Sequence, residues 1–367
     1  MSQQSAKYTA DQIDNLIYNR SDALSAAIEY INNAREMISK GYGLHFPIQE
    51  IAGEFPVPPI LPPKVVTIQA QSHHGKSQFL SFWKDDLARR LDENPNPKNI
   101  AISISTEDMI EEEMAVMLLK EANKGNTKVS VEKLDGLLVV ATMLGSTPFY
   151  YIGKSIERAR TEMPPLNMTN IGKAIFRIIE RRKDKKLDTT VQGVFYDYIN
   201  ATEEDKDLMS AVADKKRNLQ VRSDFFYFRD YLMPKIPAPA VVAVQSKQVL
   251  QNTKGVNMLT PGLYDMQETS AIPQHTDFDF SLWMPKRTHP YGEVVEHGKT
   301  KVVRFAVSDE LAIIQCNKQR GYDLQTLKRL PADKYWFTRI DYNTGRYSLW
   351  TPEETLDKLY NKGAAKV

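Results

Sequence analysis

The sequence predicts an α/β fold in which a mostly parallel central sheet is flanked by helices and preceded by an N-terminal helix. From Val65 onward, short apolar runs alternate with longer segments of helical periodicity, as in a parallel sheet covered by helices. The composition agrees, because 42% of the 367 residues are hydrophobic and 26% are charged, as in globular domains. No apolar run is long enough to span a bilayer, so we expect no membrane partner.

The N-terminal region predicts one amphipathic helix over residues 9–40. Thr9 and Gln12 can form a capping box, and Gly41 is suited to end the helix. The stretch 46–64 contains six prolines and cannot continue a helix. The apolar positions at helical spacing are Ile13, Leu16, Ile17, Leu24, Ala27, Ile28, Ile31 and Ile38.

Eight strands and three helices are predicted beyond the proline-rich stretch. The strands are Val65–Ala70, Ile100–Ser105, Phe149–Ile152, Gly193–Tyr196, Ala240–Val244, Phe278–Trp283, Lys301–Val307 and Leu311–Cys316. The helices are Gln78–Leu91, Ile110–Ala122 and Ile171–Lys183.

Charge and cysteine content exclude several classes of site. Lysine and arginine number 48 against 46 aspartate and glutamate residues, so any site for a polyanion must be local. The single cysteine, Cys316, excludes an intramolecular disulfide and a cysteine-rich zinc site. The N-terminus lacks a basic segment followed by an apolar one, so we expect no secretory signal and a cytoplasmic location.

The segment AQSHHGKS at 70–77 has the spacing of a phosphate-binding loop, with Ala70 in place of the usual first glycine. It lies between a predicted strand and a predicted helix, as such a loop requires. Backbone amides of the loop can then hold phosphate, Lys76 can reach the terminal phosphates, and Ser77 can ligate magnesium. ATP and Mg²⁺ are therefore the expected ligands. The loop residues assigned to nucleotide binding are Ser72, His73, His74, Gly75, Lys76 and Ser77. We expect the two histidines to fill variable positions rather than act as bases.

Two predicted strands end in an acidic residue that suits nucleotide hydrolysis. Asp197 follows the apolar run 193–196 and is suited to bind magnesium. Glu107 follows the strand at 100–105 and is suited to polarise an attacking water. A purely structural role for Glu107, as an acid at the start of the next helix, explains its position equally well.

With these elements in place, the region 44–347 resembles the RecA-like motor domain of DnaB-type replicative helicases, including phage-encoded ones. STEDM at 105–109 is similar to the family's SLEM segment and places Glu107 as the catalytic glutamate. DYIN at 197–200 is similar to DYLQ and places Asp197 as the magnesium ligand.

Two further segments carry the resemblance. QETSAIPQHTD at 267–277 is similar to RESGAIEQxAD, which belongs to a DNA-binding loop of the family's central channel. IIQCNKQRG at 313–321 is similar to IIxAKQRNG, and its cations act across a subunit interface in the family. The resemblance thus makes Lys318 and Arg320 a pair that acts on the γ-phosphate of a neighbouring subunit. It also implies a homo-oligomer, a hexamer by analogy.

The resemblance implies further residue roles that the sequence leaves less defined. Gln245 is our choice for the sensor that couples phosphate to the DNA loop, with Gln248 as the alternative. Basic runs such as 214–217 are also typical of solvated loops. The expected contacts to single-stranded DNA are Met266, Gln267, Glu268, Thr269, Ser270, Lys254, Lys215 and Lys216.

The sequence divides into a helical docking segment at 1–43, a motor domain at 44–350 and a C-terminal tail at 351–367. The N-terminal helix either docks on an adjacent subunit, which we favour, or packs within its own chain. The resemblance implies that the family's N-terminal primase-binding domain is missing, and that a primase or helicase loader is a partner. The preferred function is an ATP-dependent, ring-forming replicative DNA helicase, in the host cytoplasm if phage-encoded. The alternatives are a RecA- or KaiC-like recombinase or regulatory ATPase, and a catalytically weak DNA-binding ring.

Overall fold

The computed structural model describes residues 19–48, 57–124, 147–156, 163–197, 199, 217–247, 260–263, 265, 272, 275–298, 302–321, 329–331 and 334–364. Within these residues, nine strands form one sheet in the order β11-β10-β9-β6-β1-β5-β4-β2-β3, and β7 pairs with β8 in a separate hairpin. The strands are β1 Val65–Ala70, β2 Asn99–Ser105, β3 Phe149–Gly153, β4 Thr190–Asp197, β5 Ala240–Gln245, β6 Phe278–Trp283, β7 Val294–His297, β8 Val303–Ala306, β9 Leu311–Gln319, β10 Lys334–Asp341 and β11 Arg346–Leu349.

The helices of the described residues cover the sheet and flank it. They are α1 Arg20–Ser39, α2 Lys76–Glu93, α3 Ile110–Lys124, α4 Met168–Asp184, α5 Arg217–Phe226 and α6 Pro352–Ala364. Helix α5 continues through a π-helical turn, Tyr227–Leu232, and a last helical turn, Met233–Lys235. None of these helices combines the length and the apolar character needed to cross a membrane.

Strand direction divides the sheet into two parts. The six strands β6-β1-β5-β4-β2-β3 run parallel, so their carboxyl ends meet at one edge. The strands β9, β10 and β11 continue the sheet in antiparallel order. The end of β9 therefore lies beside the beginning of β6, at the edge opposite the parallel carboxyl ends. The predicted fold class, an α/β fold with a mostly parallel sheet, is confirmed.

Alternating side chains of the central strands supply two separate cores, one on each face of the sheet. Val66, Ile68 and Ala70 of β1 belong to the core that includes α2, whereas Val65 belongs to the core that includes α4. Part of the proline-rich lead-in closes the first core. Leu44 and Ile60 bridge two segments there, and the Phe46 ring lies 4.7 Å from that of Phe280.

Helix ends follow the expected local rules. Helix α2 buries Phe79, Leu80, Trp83, Leu87 and Leu91 at helical spacing, and the prediction of this helix was short by two residues at each end. Helix α1 ends at Ser39, and Gly41 next to it adopts φ +72°, a conformation that glycine adopts without strain. The predicted capping box at Thr9 and Gln12 lies outside the described residues.

The eight predicted strands are all present, with ends that shift by up to three residues. Residue 301, the predicted start of β8, lies outside the described residues, and the strand there is Val303–Ala306. Strands β7, β10 and β11 and helices α5 and α6 were not predicted. Helix α6 lies within the segment 351–367 that the sequence suggested is a tail, and Thr355 Oγ1 accepts a hydrogen bond from Ala306 N at 2.9 Å.

Candidate functional site

The parallel strand ends bring the predicted catalytic residues to one edge of the sheet. Ala70 at the end of β1 pairs in register with Gln245 of β5, and Ser105 at the end of β2 pairs with Asp197 of β4. Thr106 N donates to Asp197 O at 2.9 Å, which joins the two acidic segments beyond the strands. Residues 70–77, 105–108, 197 and 245 therefore surround one site.

The loop between β1 and α2 has the backbone of an anion site. Gly75 adopts φ +80° immediately before the helix, and His73 adopts φ +65°. No side chain caps the helix N-terminus, so the amides of its first turn point toward the loop without a capping partner. A Cβ at Gly75 would lie 3.0 Å from Met284 Sδ, so the loop needs glycine there for close packing as well as for its conformation.

Lys76 lies between acids at the centre of this site. Its Nζ is 4.0 Å from Asp197 Oδ1, and both side chains are about one-eighth exposed, at 12% each. Burial lowers the pKa of Lys76, against the opposing effect of Asp197 and Glu107. Burial also raises the pKa of Glu107, and Lys76 opposes that shift. A cation held in partial burial is suited to bind the negative charge of a polyphosphate.

The acids fit a magnesium ion. Asp197 Oδ1 is buried and, within the described residues, makes no hydrogen bond, so it presents an unused oxygen toward Lys76 and the phosphate loop. Ser77 stands one residue into α2, at the position from which a hydroxyl can face the same region. Hard oxygen donors of this kind are what magnesium prefers, and it usually completes its shell with water and substrate phosphate.

Asp108 is an acid of the site that sequence reasoning missed. Burial raises the pKa of its carboxyl group, followed by repulsion from Asp197 and Glu113. Its position next to Glu107 was visible in the sequence. The proximity to Asp197 was not, because it depends on the pairing of β2 with β4.

The two histidines of the loop have different surroundings. His73 is exposed, whereas His74 is buried and its Nδ1 accepts a hydrogen bond from Met284 N at 3.1 Å. Burial lowers the pKa of His74 to about 4, so its ring is neutral near pH 7. The His74 ring therefore anchors the loop to the residue after β6, and only its backbone is available to a phosphate.

Gln245 contacts the phosphate loop directly. Its Nε2 donates to Ser72 Oγ at 2.5 Å, across the gap between the ends of β5 and β1. Ser246 N also donates to Ala70 O at 2.9 Å. The role of Gln245 as the sensor residue stays a prediction. The rival, Gln248, lies outside the described residues.

Lys318 and Arg320 lie at the opposite edge of the sheet. Lys318 pairs in register with Asp279, and Arg320 N donates to Asp277 O at 2.7 Å, at the beginning of β6. Ala70, at the start of the phosphate loop, is level with Leu282, which is three residues along β6 from Asp279 and five from Asp277, or roughly 10 and 16 Å at the rise of a strand. Burial lowers the pKa of Lys318 to about 8, and the neighbouring Arg320 adds to the shift. The two cations and Lys76 are thus separated by the length of the strands within one chain.

Comparison with known proteins agrees with this arrangement at the level of the fold. No protein-family model and no curated protein matches the sequence. A solved ATPase domain superposes with a TM-score of 0.61 at 15% identity, over 91% of this chain and 100% of that one. A DnaB-like replicative helicase, solved in a study of its interactions with primase, superposes with a TM-score of 0.59 at 14% identity, over 88% of this chain and 66% of that one. This chain has the DnaB-like ATPase fold. That result confirms the fold expected from the motifs, and the residue roles within it remain predictions.

The predicted DNA contacts lie outside the described residues. These are Lys215, Lys216, Lys254, Met266, Gln267, Glu268, Thr269 and Ser270. The described residues nearest to the last five in sequence are Asp265 and Ile272, and Ile272 is fully buried in the core that includes α4.

Proposed function

We propose that this chain is an ATP-dependent DNA helicase that forms a ring, hydrolyses ATP between subunits and moves along single-stranded DNA. The observation that carries the proposal is the division of charged groups between the two edges of the sheet. Lys76, Glu107 and Asp197 meet at one edge, and Lys318 and Arg320 lie at the other. A site that uses both sets requires two copies of the chain.

Each residue at the phosphate-loop edge has a distinct role in this mechanism. Loop amides and Lys76 bind and orient the phosphates of ATP, which is the main requirement of phosphoryl transfer. Glu107 orients the attacking water and accepts its proton, a task that its raised pKa favours. Ser77 and Asp197 would hold Mg²⁺, which neutralises charge on the phosphate oxygens in this chemistry.

Lys318 and Arg320 act on the γ-phosphate of a neighbouring subunit in this proposal. Cations supplied in trans stabilise the charge of the transition state and can contribute about 10³ to 10⁵ in rate. Gln245 senses the phosphate through Ser72 and passes its state along the chain toward the DNA loop. The DNA contacts are those expected from the sequence, at residues 215–216, 254 and 266–270.

Helix α1 is the surface that we assign to subunit docking. Leu24 and Ile28 are 57% and 61% exposed, and of the helix only Ala34 is buried among the described residues. Apolar side chains on a helix that finds no core among the described residues are suited to a groove on a neighbour. A primase or a helicase loader is the expected heterologous partner.

The test is ATP hydrolysis measured with and without single-stranded DNA, followed by unwinding of a forked duplex in the presence of magnesium. The proposal expects DNA-stimulated hydrolysis and strand separation, both lost in Lys76→Ala. Hydrolysis without unwinding favours a RecA- or KaiC-like ATPase. DNA binding that ignores Lys76→Ala, with no hydrolysis in the wild type, favours a catalytically weak ring. Lys98→Ala is the matched control, because Lys98 is exposed and pairs only at the surface with Asp188, at 3.4 Å.

A further inference from the structure

A buried carboxyl group lies near the beginning of β6, on the side of the sheet away from the phosphate loop. Asp279 of β6 is fully buried. It accepts hydrogen bonds from Thr67 Oγ1 at 2.6 Å, Gln69 Nε2 at 2.7 Å and Asn317 Nδ2 at 2.9 Å. These side chains come from β1 and β9, the two strands that flank β6. We call Thr67, Gln69, Asp279 and Asn317 the sheet network.

The sheet network holds a loop segment against the sheet. Gln69 Nε2 also donates to Gly262 O at 2.9 Å, and Asn317 Nδ2 donates to Pro261 O at 3.1 Å. Thr260 Oγ1 donates to Gln315 Oε1, and Gln315 Nε2 donates to Asn317 Oδ1 at 2.9 Å. The segment 260–262, which we call the anchor segment, is thus fixed by side chains of β1 and β9 rather than by strand pairing.

The anchor segment connects onward to the phosphate loop. Gly262 N donates to Asp265 Oδ2 at 2.7 Å, and Lys247 N donates to Asp265 O at 2.6 Å. Lys247 follows Gln245 by two residues, and Gln245 contacts Ser72 of the phosphate loop. Hydrogen bonds, linked by the chain segment 245–247, therefore join the phosphate loop, the anchor segment and the sheet network.

The other end of the sheet network is the strand that carries the trans-acting cations. Asn317 precedes Lys318 on β9, and Lys318 pairs in register with Asp279 at an irregularity in the ladder. Any shift of Asn317 relative to Asp279 changes the position of Lys318, because the three groups share one stretch of strand. The network thus spans both sets of proposed catalytic groups.

Burying the polar side chains of the sheet network costs folding free energy. Burial raises the pKa of Asp279 to about 7, which shows how poorly this position accommodates a carboxylate. Gln69 Oε1 and Ser281 Oγ, which are register neighbours on β1 and β6, are buried and have no hydrogen-bond partner among the described residues. Apolar side chains fill such positions at least as well, so a buried polar cluster of this kind indicates a requirement for a specific arrangement.

We propose that Thr67, Gln69, Asp279 and Asn317 are positioning residues that fix the anchor segment to the strand end bearing Lys318 and Arg320. Through them, DNA held by the proposed contacts, which flank the anchor segment in sequence, and ATP bound between subunits influence each other. This inference rests on the proposed function, because it assigns a regulation to the same ATP site. It predicts that loosening the anchor-segment side of the network, while the β6–β9 ladder still holds Lys318 beside Asp279, uncouples hydrolysis from DNA and leaves hydrolysis itself intact.

The experiment compares two network variants with one matched control. Gln69→Met removes the donations to Asp279 and Gly262, and Thr260→Val removes the contact with Gln315 from the side of the anchor segment. Thr338→Val is the control, because Thr338 is equally buried in the sheet and its Oγ1 donates to Ala312 O at 2.8 Å, outside the network. All three variants keep side-chain size nearly unchanged.

Two measurements are made on each variant. Amide hydrogen exchange at Lys247, Gly262 and Asp265 should become about 5-fold faster or more in both network variants and stay unchanged in Thr338→Val. The ratio of ATP hydrolysis with DNA to that without DNA should fall about 3- to 30-fold in the network variants, with hydrolysis without DNA within about twofold of the wild type.

The outcomes separate this inference from the proposed function. A wild-type protein whose hydrolysis ignores DNA overturns the proposed function and the coupling, and the exchange rates then still decide whether the network fixes the anchor segment. A stimulated wild type with an unchanged ratio in both network variants overturns the inference alone. An equal fall of the ratio in Thr338→Val also overturns it, because the effect then reflects general loss of sheet stability.

Discussion

The two edges of the sheet carry different sets of charged side chains. At the phosphate-loop edge, Lys76 lies among Glu107, Asp108 and Asp197. At the opposite edge, Lys318 and Arg320 lie near a third cation, Arg229, which helps to lower the pKa of Lys318. The first edge thus offers oxygen ligands suited to a metal ion and a candidate base, whereas the second brings cations together beside Asp277 and Asp279.

Neither edge alone therefore has all the groups that the proposed phosphoryl transfer requires. The terminal phosphate of ATP needs a positioned water, a metal ion and enough positive charge to stabilise its transition state. The first edge has one partly buried lysine for that last purpose, and at the second edge burial, with repulsion from Arg320 added, lowers the pKa of Lys318 to about 8. In the proposed assembly, the phosphate binds between two copies of the chain. Cations of the second edge then add positive charge at the first edge, and the phosphate offsets the repulsion between those cations.

The largest effect is expected when Arg320 is replaced by alanine. Because the guanidinium is proposed to stabilise the transition state of a neighbour, kcat for ATP hydrolysis should fall by about 10³ or more. The KM for ATP should change little, since the phosphate loop is intact. Steady-state hydrolysis over a range of ATP concentrations measures both constants.

A mixing experiment decides whether Arg320 acts in trans. Arg320→Ala subunits have a complete phosphate loop, and Lys76→Ala subunits have complete cations, so mixed assemblies contain some complete sites. Partial activity in the mixture, with neither variant active alone, is the expected result. Full activity of Arg320→Ala alone contradicts the trans role. The control is Arg304→Ala, because the Arg304 side chain is 70% exposed on β8 and only loosely paired with Glu296.

Glu107→Gln tests the base at the first edge. The amide cannot accept a proton, so kcat should fall by about 10² to 10⁴ while ATP binding persists. Since burial raises the pKa of Glu107, wild-type kcat should decline on acidification at a higher pH than an exposed glutamate dictates. The pH dependence of kcat measures the shift, and Glu93→Gln, at an exposed residue paired with Arg89, is the control. A variant with normal kcat supports the role of helix-start acid instead.

The parallel part of the sheet was largely predictable because its signals are local. β1 and β5 are apolar runs of the length of a buried strand, and β6 matched its predicted limits. The loop at 70–77 follows a spacing rule that a single segment satisfies. The meeting of Glu107 and Asp197 then follows from parallel pairing alone, since parallel strands align their carboxyl ends.

The antiparallel part was harder to predict for a physical reason. Strand β10, Lys334–Asp341, has three consecutive aromatic residues and no regular alternation of polar and apolar side chains, and its pairing with β9 helps to bury Trp336 and Phe337. The sheet network was missed in the same way. Asp279 interrupts an apolar strand, and nothing in the sequence near it names Gln69 or Asn317 as its partners, which are 210 and 38 residues away.

A third prediction concerns His297, which lies at the end of β7 in the separate hairpin of β7 and β8. Burial lowers its pKa to about 4, and both ring nitrogens are buried with no hydrogen-bond partner within the described residues. The unfolded chain binds a proton near pH 6.5, so this residue costs stability as the pH falls from about 6.5 toward 4. His297→Phe should therefore gain about 2 kcal/mol more in unfolding free energy at pH 5 than at pH 7.5.

Denaturant unfolding at the two pH values measures this difference. Tyr335→Phe is the control, since the Tyr335 ring contacts His297 at 4.9 Å between centroids but does not titrate in this range. An equal gain at both pH values contradicts the assignment of acid sensitivity to His297. Because His297→Phe removes this acid sensitivity of the fold, a decline of its kcat on acidification reports protonation of Glu107 rather than unfolding.

The last prediction concerns helix α1 as the contact that holds neighbouring chains together. If helix α1 docks on a second copy, replacing its exposed Leu24 and Ile28 together by glutamine should weaken self-association by about tenfold or more. The same change should alter the unfolding free energy of the isolated chain by less than about 0.5 kcal/mol, because both side chains are largely exposed among the described residues. Sedimentation over a range of protein concentrations measures the first effect.

Glu29→Gln, at an exposed position on the same helix, should change neither quantity. Unchanged assembly in the double variant moves the docking surface elsewhere, and the two-copy site at the sheet edges must then form through contacts of the motor domain itself.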